Sequence, residues 1–327
     1  MPQRVLITSQ FLRPDDEIDR RVRDAGHETR HAPLVGARPA AELIGLLEGV
    51  HGVIAGSDPF TAEVLRAAPE LRVIARTGVG FDAIDVAVAT ELGIAVCNAP
   101  GVNRQSVAEH TFALMLAHAR RLGAVLASTR AGRWERPAGT ELAGETLGVV
   151  GLGAIGAAVA RIGDAFGMRV VAHDPFVDAA RASELGVELL PLEALAEQAR
   201  YISLHLALTD ATRGIVDAEL LARMRPDAVV INTARGPIID QAALVDALQA
   251  GTIGGAALDV VEHEPLAQDH PLRTLDSVIL TPHIGGSTAQ ARARSARVAA
   301  ASVLEALRGE TPATLVNTSG HLGRRGR

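Results

Sequence analysis

The sequence predicts an α/β protein made of two doubly wound parallel-sheet domains. Three observations carry that expectation. Short apolar, β-branched runs alternate with amphipathic stretches along most of the 327-residue chain, the pattern of strands covered by helices on both faces. The stretch Thr146–Asp174 reads as a strand, a Gly151-Leu-Gly153-Ala-Ile-Gly156 turn, a helix and a second strand ending in an acid. A motif of this kind normally opens its domain, yet a domain's worth of sequence stands before it, so a separate N-terminal unit is expected.

In the N-terminal part, strands are expected at Arg4–Thr8, Gly52–Ala55, Val73–Arg76 and Ala95–Cys97. Ser106–Leu122 reads as one long helix opened by a Ser106-x-x-Glu109 capping box. Its apolar surface is broader than one packing partner would cover, so it is expected to link the domains and to face a second subunit. Leu147–Val150 and Val170–Ala172 are the strands around the glycine turn, and the helix between them ends near Phe166. Strands at Val187–Leu190, Tyr201–His205, Ala228–Asn232, Gly255–Asp259 and Val278–Leu280 then complete a Rossmann-type sheet. A last helix, Thr288–Leu307, has no further strands after it and is expected to return to the N-terminal unit. The expected domains are therefore a discontinuous, flavodoxin-like substrate domain of residues 1–98 plus 287–327 and a Rossmann-type domain of residues 99–286. The closing Gly-His-Leu-Gly-Arg-Arg-Gly-Arg reads as a disordered tail.

The glycine motif carries a chemical expectation. Gly151 permits the tight turn, Gly153 lets a pyrophosphate approach the backbone, and Gly156 lets helix and strand pack closely. Free N–H groups and the dipole at the helix N-terminus favour the anion. Asp174, 23 positions after Gly151, is placed to accept from an adenosine ribose diol and to repel a 2′-phosphate, which favours NAD over NADP.

Composition narrows the remaining classes. Hydrophobic content of 48% and a mean hydropathy of +0.19 fit a soluble α/β protein. No apolar run is long enough for a membrane span, the N-terminus enters strand-like sequence directly, and a cytoplasmic protein is expected. Cys97 is the only cysteine, which excludes an internal disulfide and a Cys-rich metal site; at the end of an apolar run it reads as a buried structural thiol. There is no lysine, so neither a Walker-type phosphate lysine nor Schiff-base chemistry is available. A net charge of −6 without an internal basic run argues against nucleic acid as a partner.

Three turn-rich segments follow predicted strands of the second half: Asn232-Thr-Ala-Arg235-Gly-Pro, Asp259-Val-Val-Glu262-His-Glu264-Pro and Thr281-Pro-His283-Ile-Gly-Gly286. The carboxyl ends of the strands in a doubly wound sheet face one crevice, so these tips should converge at the nicotinamide end of the cofactor. Hydride transfer to a carbonyl needs a proton donor, a carboxylate to hold and charge an imidazole, and a cation for an anionic substrate. His283, Glu264 and Arg235 supply those residue types in that order. His263 and His205 compete for the acid/base role, whereas His110 and His118 fall within the long helix and read as packing or interface residues.

The chain resembles the D-isomer-specific 2-hydroxyacid dehydrogenases, and among them the phosphoglycerate dehydrogenase-like branch, over nearly its whole length. The resemblance rests on Arg76-Thr-Gly-Val-Gly80-Phe-Asp-Ala-Ile-Asp85, Asn98-Ala-Pro-Gly-Val-Asn103 leading into Ser106-Val-Ala-Glu109, Gly132-Arg-Trp134-Glu, the glycine motif and the three tips. It implies NAD(H)-dependent interconversion of a 2-keto acid and a D-2-hydroxy acid, with Arg235, Glu264 and His283 catalytic. It implies that the Val79–Gly80 backbone helps bind the substrate carboxylate, with Arg76 next in line as an anchor, and that NAD also meets Ala154, Ile155, Leu206, Thr233, Ala234, Asp259 and Gly286. A homodimer or dimer-based assembly is implied, with no metal.

Two departures bear on substrate. Phosphate-handling relatives often carry a basic residue after the third strand of the first domain, where this chain has Ala55-Gly56-Ser57-Asp58, an uncharged and then acidic loop. The chain ends soon after its last helix, so serine feedback through a C-terminal regulatory domain is not expected. Formate dehydrogenases of the same family use glutamine at the position of Glu264, which disfavours that branch. The rivals to phosphoglycerate as substrate are glyoxylate and hydroxypyruvate, and the rival from another class is an NAD-sensing corepressor-like interaction protein.

Overall fold

The computed structural model describes residues 2–34 and 38–317; the expected basic tail lies outside them. The chain divides into two compact units, one formed by residues up to Asn103 together with those from Ser287 onward, the other running from Arg104 to Gly286.

The first unit alternates β1 (Arg4–Ile7), α1 (Glu17–Asp24), β2 (Glu28–His31), α2 (Ala40–Leu46), β3 (Gly52–Ala55), α3 (Ala62–Arg66), β4 (Val73–Arg76), α4 (Val86–Glu91) and β5 (Ala95–Cys97). Its five strands are all parallel in the order β2-β1-β3-β4-β5, the flavodoxin-like winding. The run Gly52–Ala55 is buried along its whole length, which is why four apolar residues without alternation form a strand here. The closing helix, Ala289–Leu307, belongs to this unit: Ala296, Ala299, Ala300 and Val303 pack with Val5, Ile7, Ile54 and Val73 on one face of the sheet. Leu43, Val64, Leu65 and Ala89 fill the other face. Beyond that helix, Val316 N donates to Val96 O at 2.7 Å, and Asn317, 4% exposed, accepts from Val96 N and donates to Ile94 O. The sequence carries no strand-like run there to announce this anchor.

The second unit opens with α5 (Arg104–Ala119) and α6 (Leu122–Arg130) and continues through β6 (Thr146–Val150), α7 (Ala154–Ala165), β7 (Arg169–His173), α8 (Ala179–Glu184), β8 (Glu188–Leu189), α9 (Leu192–Gln198), β9 (Tyr201–Leu204), α10 (Ala218–Arg223), β10 (Val229–Asn232), α11 (Gln241–Gln249), β11 (Gly255–Leu258) and β12 (Val278–Leu280). Seven parallel strands lie in the order β12-β11-β10-β9-β6-β7-β8. The order reverses between β6 and β9, and the glycine turn leaves the carboxyl end of β6 at that switch point. Phe112, Met115, Val159 and Ala160 cover one face, and Leu195, Leu220, Leu221 and Leu244 the other.

Two expectations about the long helix are corrected. It does not run to Leu122: Arg121 takes a left-handed φ of 53°, and the Ala119 carbonyl accepts from Thr140 N at 2.9 Å instead of continuing the helical ladder. Nor do Ser106 and Glu109 form a capping box, because the helix begins at Arg104; Ser106 is buried inside it and Glu109 accepts from Gln105 Nε2.

Candidate active site

Gly151 has a φ of 95°, which only glycine adopts without strain, and a Cβ on Gly156 would overlap the Gly151 carbonyl, so α7 could not sit against the turn with any larger residue. A Cβ on Gly153 would meet nothing within 4 Å, leaving the N-terminus of α7, at Ala154 and Ile155, open to an approaching group. Asp174, half-buried after β7, accepts from Leu152 N at 2.8 Å through one oxygen and from Phe176 N at 2.9 Å through the other. Its carboxylate thus holds the glycine turn, and lone pairs remain on both oxygens for a ribose diol. Leu206 packs over Gly151, and Thr233 Oγ1 lies 3.0 Å from Thr111 Oγ1. An open helix N-terminus, a turn whose one side chain, Leu152, is buried, and a terminal acid fit a dinucleotide.

The three tips stand at the carboxyl ends of β10, β11 and β12. Buried Asn232 shapes the first: its Oδ1 accepts from Ala234 N at 3.0 Å and its Nδ2 donates to Arg235 O at 2.8 Å, a side-chain-closed turn. Arg235 donates from one terminal nitrogen to Ala234 O at 2.7 Å. A Cβ on the next residue, Gly236, would overlap the Val261 carbonyl, so this turn and the one leading to Glu264 are in backbone contact.

Asp259 fixes the third tip. Its carboxylate accepts from Thr281 Oγ1 at 2.6 Å, from Ile284 N at 2.9 Å and from Gly285 N at 2.8 Å, and it meets His110 Nε2 at 3.2 Å. Burial alone would raise its pKa, but the hydrogen bonds from His110, Thr281, Ile284 and Gly285 outweigh that and hold it at about 2. Between these anchors His283 takes a φ of 55°, a left-handed conformation that few non-glycine residues hold and that recurs at functional sites. Its N–H donates to Asp259 O at 2.8 Å, and its Nδ1 lies 2.8 Å from Glu264 Oε2. A carboxylate only accepts, so Nδ1–H donates and Nε2 is left for chemistry.

The competing histidines are separated by their surroundings. His205 Nε2 lies 2.8 Å from Ser203 Oγ, and its Nδ1 is buried without a partner among the described residues. Burial pushes the His205 imidazole down to about 3, which keeps it neutral near pH 7. His263 is exposed, and the carboxylate of this turn sits on His283. His118 packs against Gly255, where a Cβ would overlap its Nε2, and burial lowers its pKa. His110, expected only to pack or to face a second subunit, instead joins the Asp259 cluster.

In the first unit, Arg76 donates through Nε to Gly80 O at 3.1 Å and through a terminal nitrogen to Gly56 O. Asn98 Nδ2 donates to Val79 O at 2.7 Å. The Val79–Gly80 backbone is thereby held from both sides. The acidic loop expected at Gly56–Asp58 is corrected: Asp58 is 4% exposed and paired with Arg38 Nε at 2.7 Å, while Arg38 also meets Glu42 and Ala32 O. The loop shows solvent no acidic surface, and only its lack of a basic side chain bears on phosphate. Cys97 is fully buried, and burial pushes its thiol up to about 12.

Residues 112–285 match the D-isomer specific 2-hydroxyacid dehydrogenase, NAD binding domain, and the chain belongs to that family of dehydrogenases. It is 49% identical over 289 residues to D-3-phosphoglycerate dehydrogenase of Mycobacterium tuberculosis, covering 88% of this chain and 53% of that protein. It is 44% identical over 267 residues to glyoxylate reductase of Korarchaeum cryptofilum, covering 80% of each. The chain spans about half the length of the phosphoglycerate dehydrogenases it matches. A solved structure of a protein from Thermus thermophilus superimposes with a TM-score of 0.89 at 40% identity, over 96% of this chain and all of that one. NAD is the cofactor of the domain matched.

Proposed function

We propose that this protein is an NAD(H)-dependent dehydrogenase interconverting a small 2-keto acid and its D-2-hydroxy acid. The observation that carries the reading is the 2.8 Å contact between His283 Nδ1 and Glu264 Oε2, after strands of the same parallel sheet whose β6 ends in the glycine turn. The bound dinucleotide supplies or takes up the hydride. His283 Nε2 gives a proton to the carbonyl oxygen in reduction and removes it in oxidation, while Glu264 fixes the tautomer and favours the imidazolium. Arg235 binds the substrate's anionic end or its carbonyl oxygen through a planar fork. Val79 and Gly80, with Arg76 beneath them, are proposed to receive the substrate carboxylate. Asp259, Thr233, Ala234, Leu206 and Gly286 are proposed NAD contacts with the glycine turn and Asp174.

The substrate class is phosphoglycerate dehydrogenase-like. A second reading, glyoxylate or hydroxypyruvate reduction, is favoured by the Gly56–Asp58 loop, where the side chain after Ser57 is a buried, neutralised acid. It is favoured too by the reductase of K. cryptofilum, matched over 80% of its length. A homodimer or dimer-based oligomer is proposed from Leu122, Leu126 and Trp134, which expose 41%, 52% and 76% of their surface in one short stretch. A cytoplasmic location, where an NAD pool is at hand, completes the proposal; among the described residues no helix is long and apolar enough to cross a membrane.

The test is NADH oxidation followed with 3-phosphohydroxypyruvate, hydroxypyruvate and glyoxylate in parallel. Turnover of at least one is expected, and His283→Asn should abolish it while NADH still binds. Turnover of none, or full activity in His283→Asn, would overturn the reading.

A further inference from the structure

We propose that Gln241 is a positioning residue that holds the Glu264 turn in place for His283, an inference that rests on the dehydrogenase reading. Gln241 is the first residue of α11, where an ordinary surface glutamine would turn its amide to water. Here both ends of the amide are engaged by the segment that follows β11. Glu262 N donates to Gln241 Oε1 at 2.9 Å, which makes Nε2 the amino end. That end of the amide lies 3.0 Å from His270 Nε2, while the other ring nitrogen, Nδ1, accepts from Leu272 N at 3.3 Å. Gln241 therefore grips the turn two residues before Glu264 and touches the same segment six residues after it.

The grip matters because packing holds the flanks of the turn, at Val261 and Leu266, and not its tip. Glu262, His263 and Glu264 are exposed, and a surface cavity of about 440 Å³ bordered by Gln241, Glu262, His263, Leu266 and His270 lies at the turn. Among the described residues, other ties in this segment include Arg273 to Ala267 O at 2.8 Å and to Leu266 O at 2.7 Å and His270 N to Ala267 O at 3.3 Å, all beyond Glu264, and a long 3.4 Å contact from Val261 N to Glu264 Oε1. With the amide removed, the turn has space to relax into, and the 2.8 Å contact to His283 loses its support. Nothing in the sequence marks this role, since a polar residue opening a helix after an aspartate cap is an ordinary arrangement.

Two measurements on the full chain test it. By hydrogen exchange with mass spectrometry, Gln241→Ala should speed exchange of the peptide spanning residues 260–266 by about tenfold while peptides of β6 and β9 stay unchanged. In the keto-acid assay Gln241→Ala should lower kcat about tenfold with the NADH Kd and the keto-acid KM within about twofold, and that loss should shrink to within about twofold in a Glu264→Gln background. Gln241→Glu keeps an acceptor for Glu262 N–H and should retain most of the wild-type kcat. Unchanged exchange, or an equal kcat loss in both backgrounds, would overturn the positioning role. A wild-type protein that turns over no keto acid would defeat the dehydrogenase reading instead, and the exchange measurement would still decide whether Gln241 holds the turn.

Discussion

In the substrate-binding role proposed for Arg235, the side chain's shape should matter more than its charge. A guanidinium offers a flat pair of donors to a carboxylate or a carbonyl oxygen, and an ammonium offers a single point. Arg235→Lys should keep NADH affinity and lose at least about tenfold in kcat/KM, roughly 1.4 kcal/mol, in steady-state kinetics; unchanged kcat/KM would move the substrate anchor elsewhere. Asp174 braces Leu152 N, and in the proposed function it has a second duty at the ribose. The wild type should prefer NADH, and Asp174→Ala should narrow the gap by weakening NADH while lifting the repulsion of a 2′-phosphate; a wild-type kcat/KM favouring NADPH would refute this. Arg235, Glu264 and His283 could be named as candidates from the sequence because each stands in a turn just after a predicted strand, and the structure brings the last two to 2.8 Å. Gln241 and His110 were not legible, because a side chain's partner across the fold leaves no local trace in the sequence.

Among the elements, the buried strands of both sheets were legible almost to the residue, since an apolar run bounded by polar turns has few alternatives. The missed strand, β2, is Glu-Thr-Arg-His, an edge strand paired only with β1 and half open to solvent. No hydrophobic pattern marks such a segment, because its half-buried side chains, Thr29 and His31, are polar and bond buried Asp19. The break between α5 and α6 was missed for a related reason. Arg120, Arg121 and Leu122 are good helix formers, and what stops the helix is a carbonyl captured by Thr140, some twenty residues away. Local propensity extends an element until a distant hydrogen bond ends it.

For the molecule as a whole, the buried histidines set the response to acid. The folded chain holds His205 at about 3 instead of its ordinary 6.5, because burial disfavours the charged ring. Below pH 6.5 the unfolded chain takes up a proton that the folded one refuses, so stability should fall as the pH drops from 6.5 toward about 3, by at most about 1.4 kcal/mol per pH unit for one such group. His118 and His27, also lowered by burial, act in the same direction. Asp259, held at about 2, is lost only at lower pH, below its ordinary value of 3.8. Urea denaturation midpoints between pH 8 and 4 should show the decline, and His205→Gln should lessen its slope; a slope identical in both proteins would remove His205 from the account.

The interior pair of Arg38 and Asp58 also limits how the chain could acquire a taste for other substrates. A single change at Asp58, meant to make that loop cationic, would not simply subtract a charge from the surface. It would leave the buried Arg38 guanidinium with the more exposed Glu42 carboxylate as its remaining counter-charge, a destabilising loss. A change at either position is felt at the other. A lineage moving between neutral and phosphorylated substrates at this loop would have to cross a less stable intermediate, or else recruit its cation from another part of the chain.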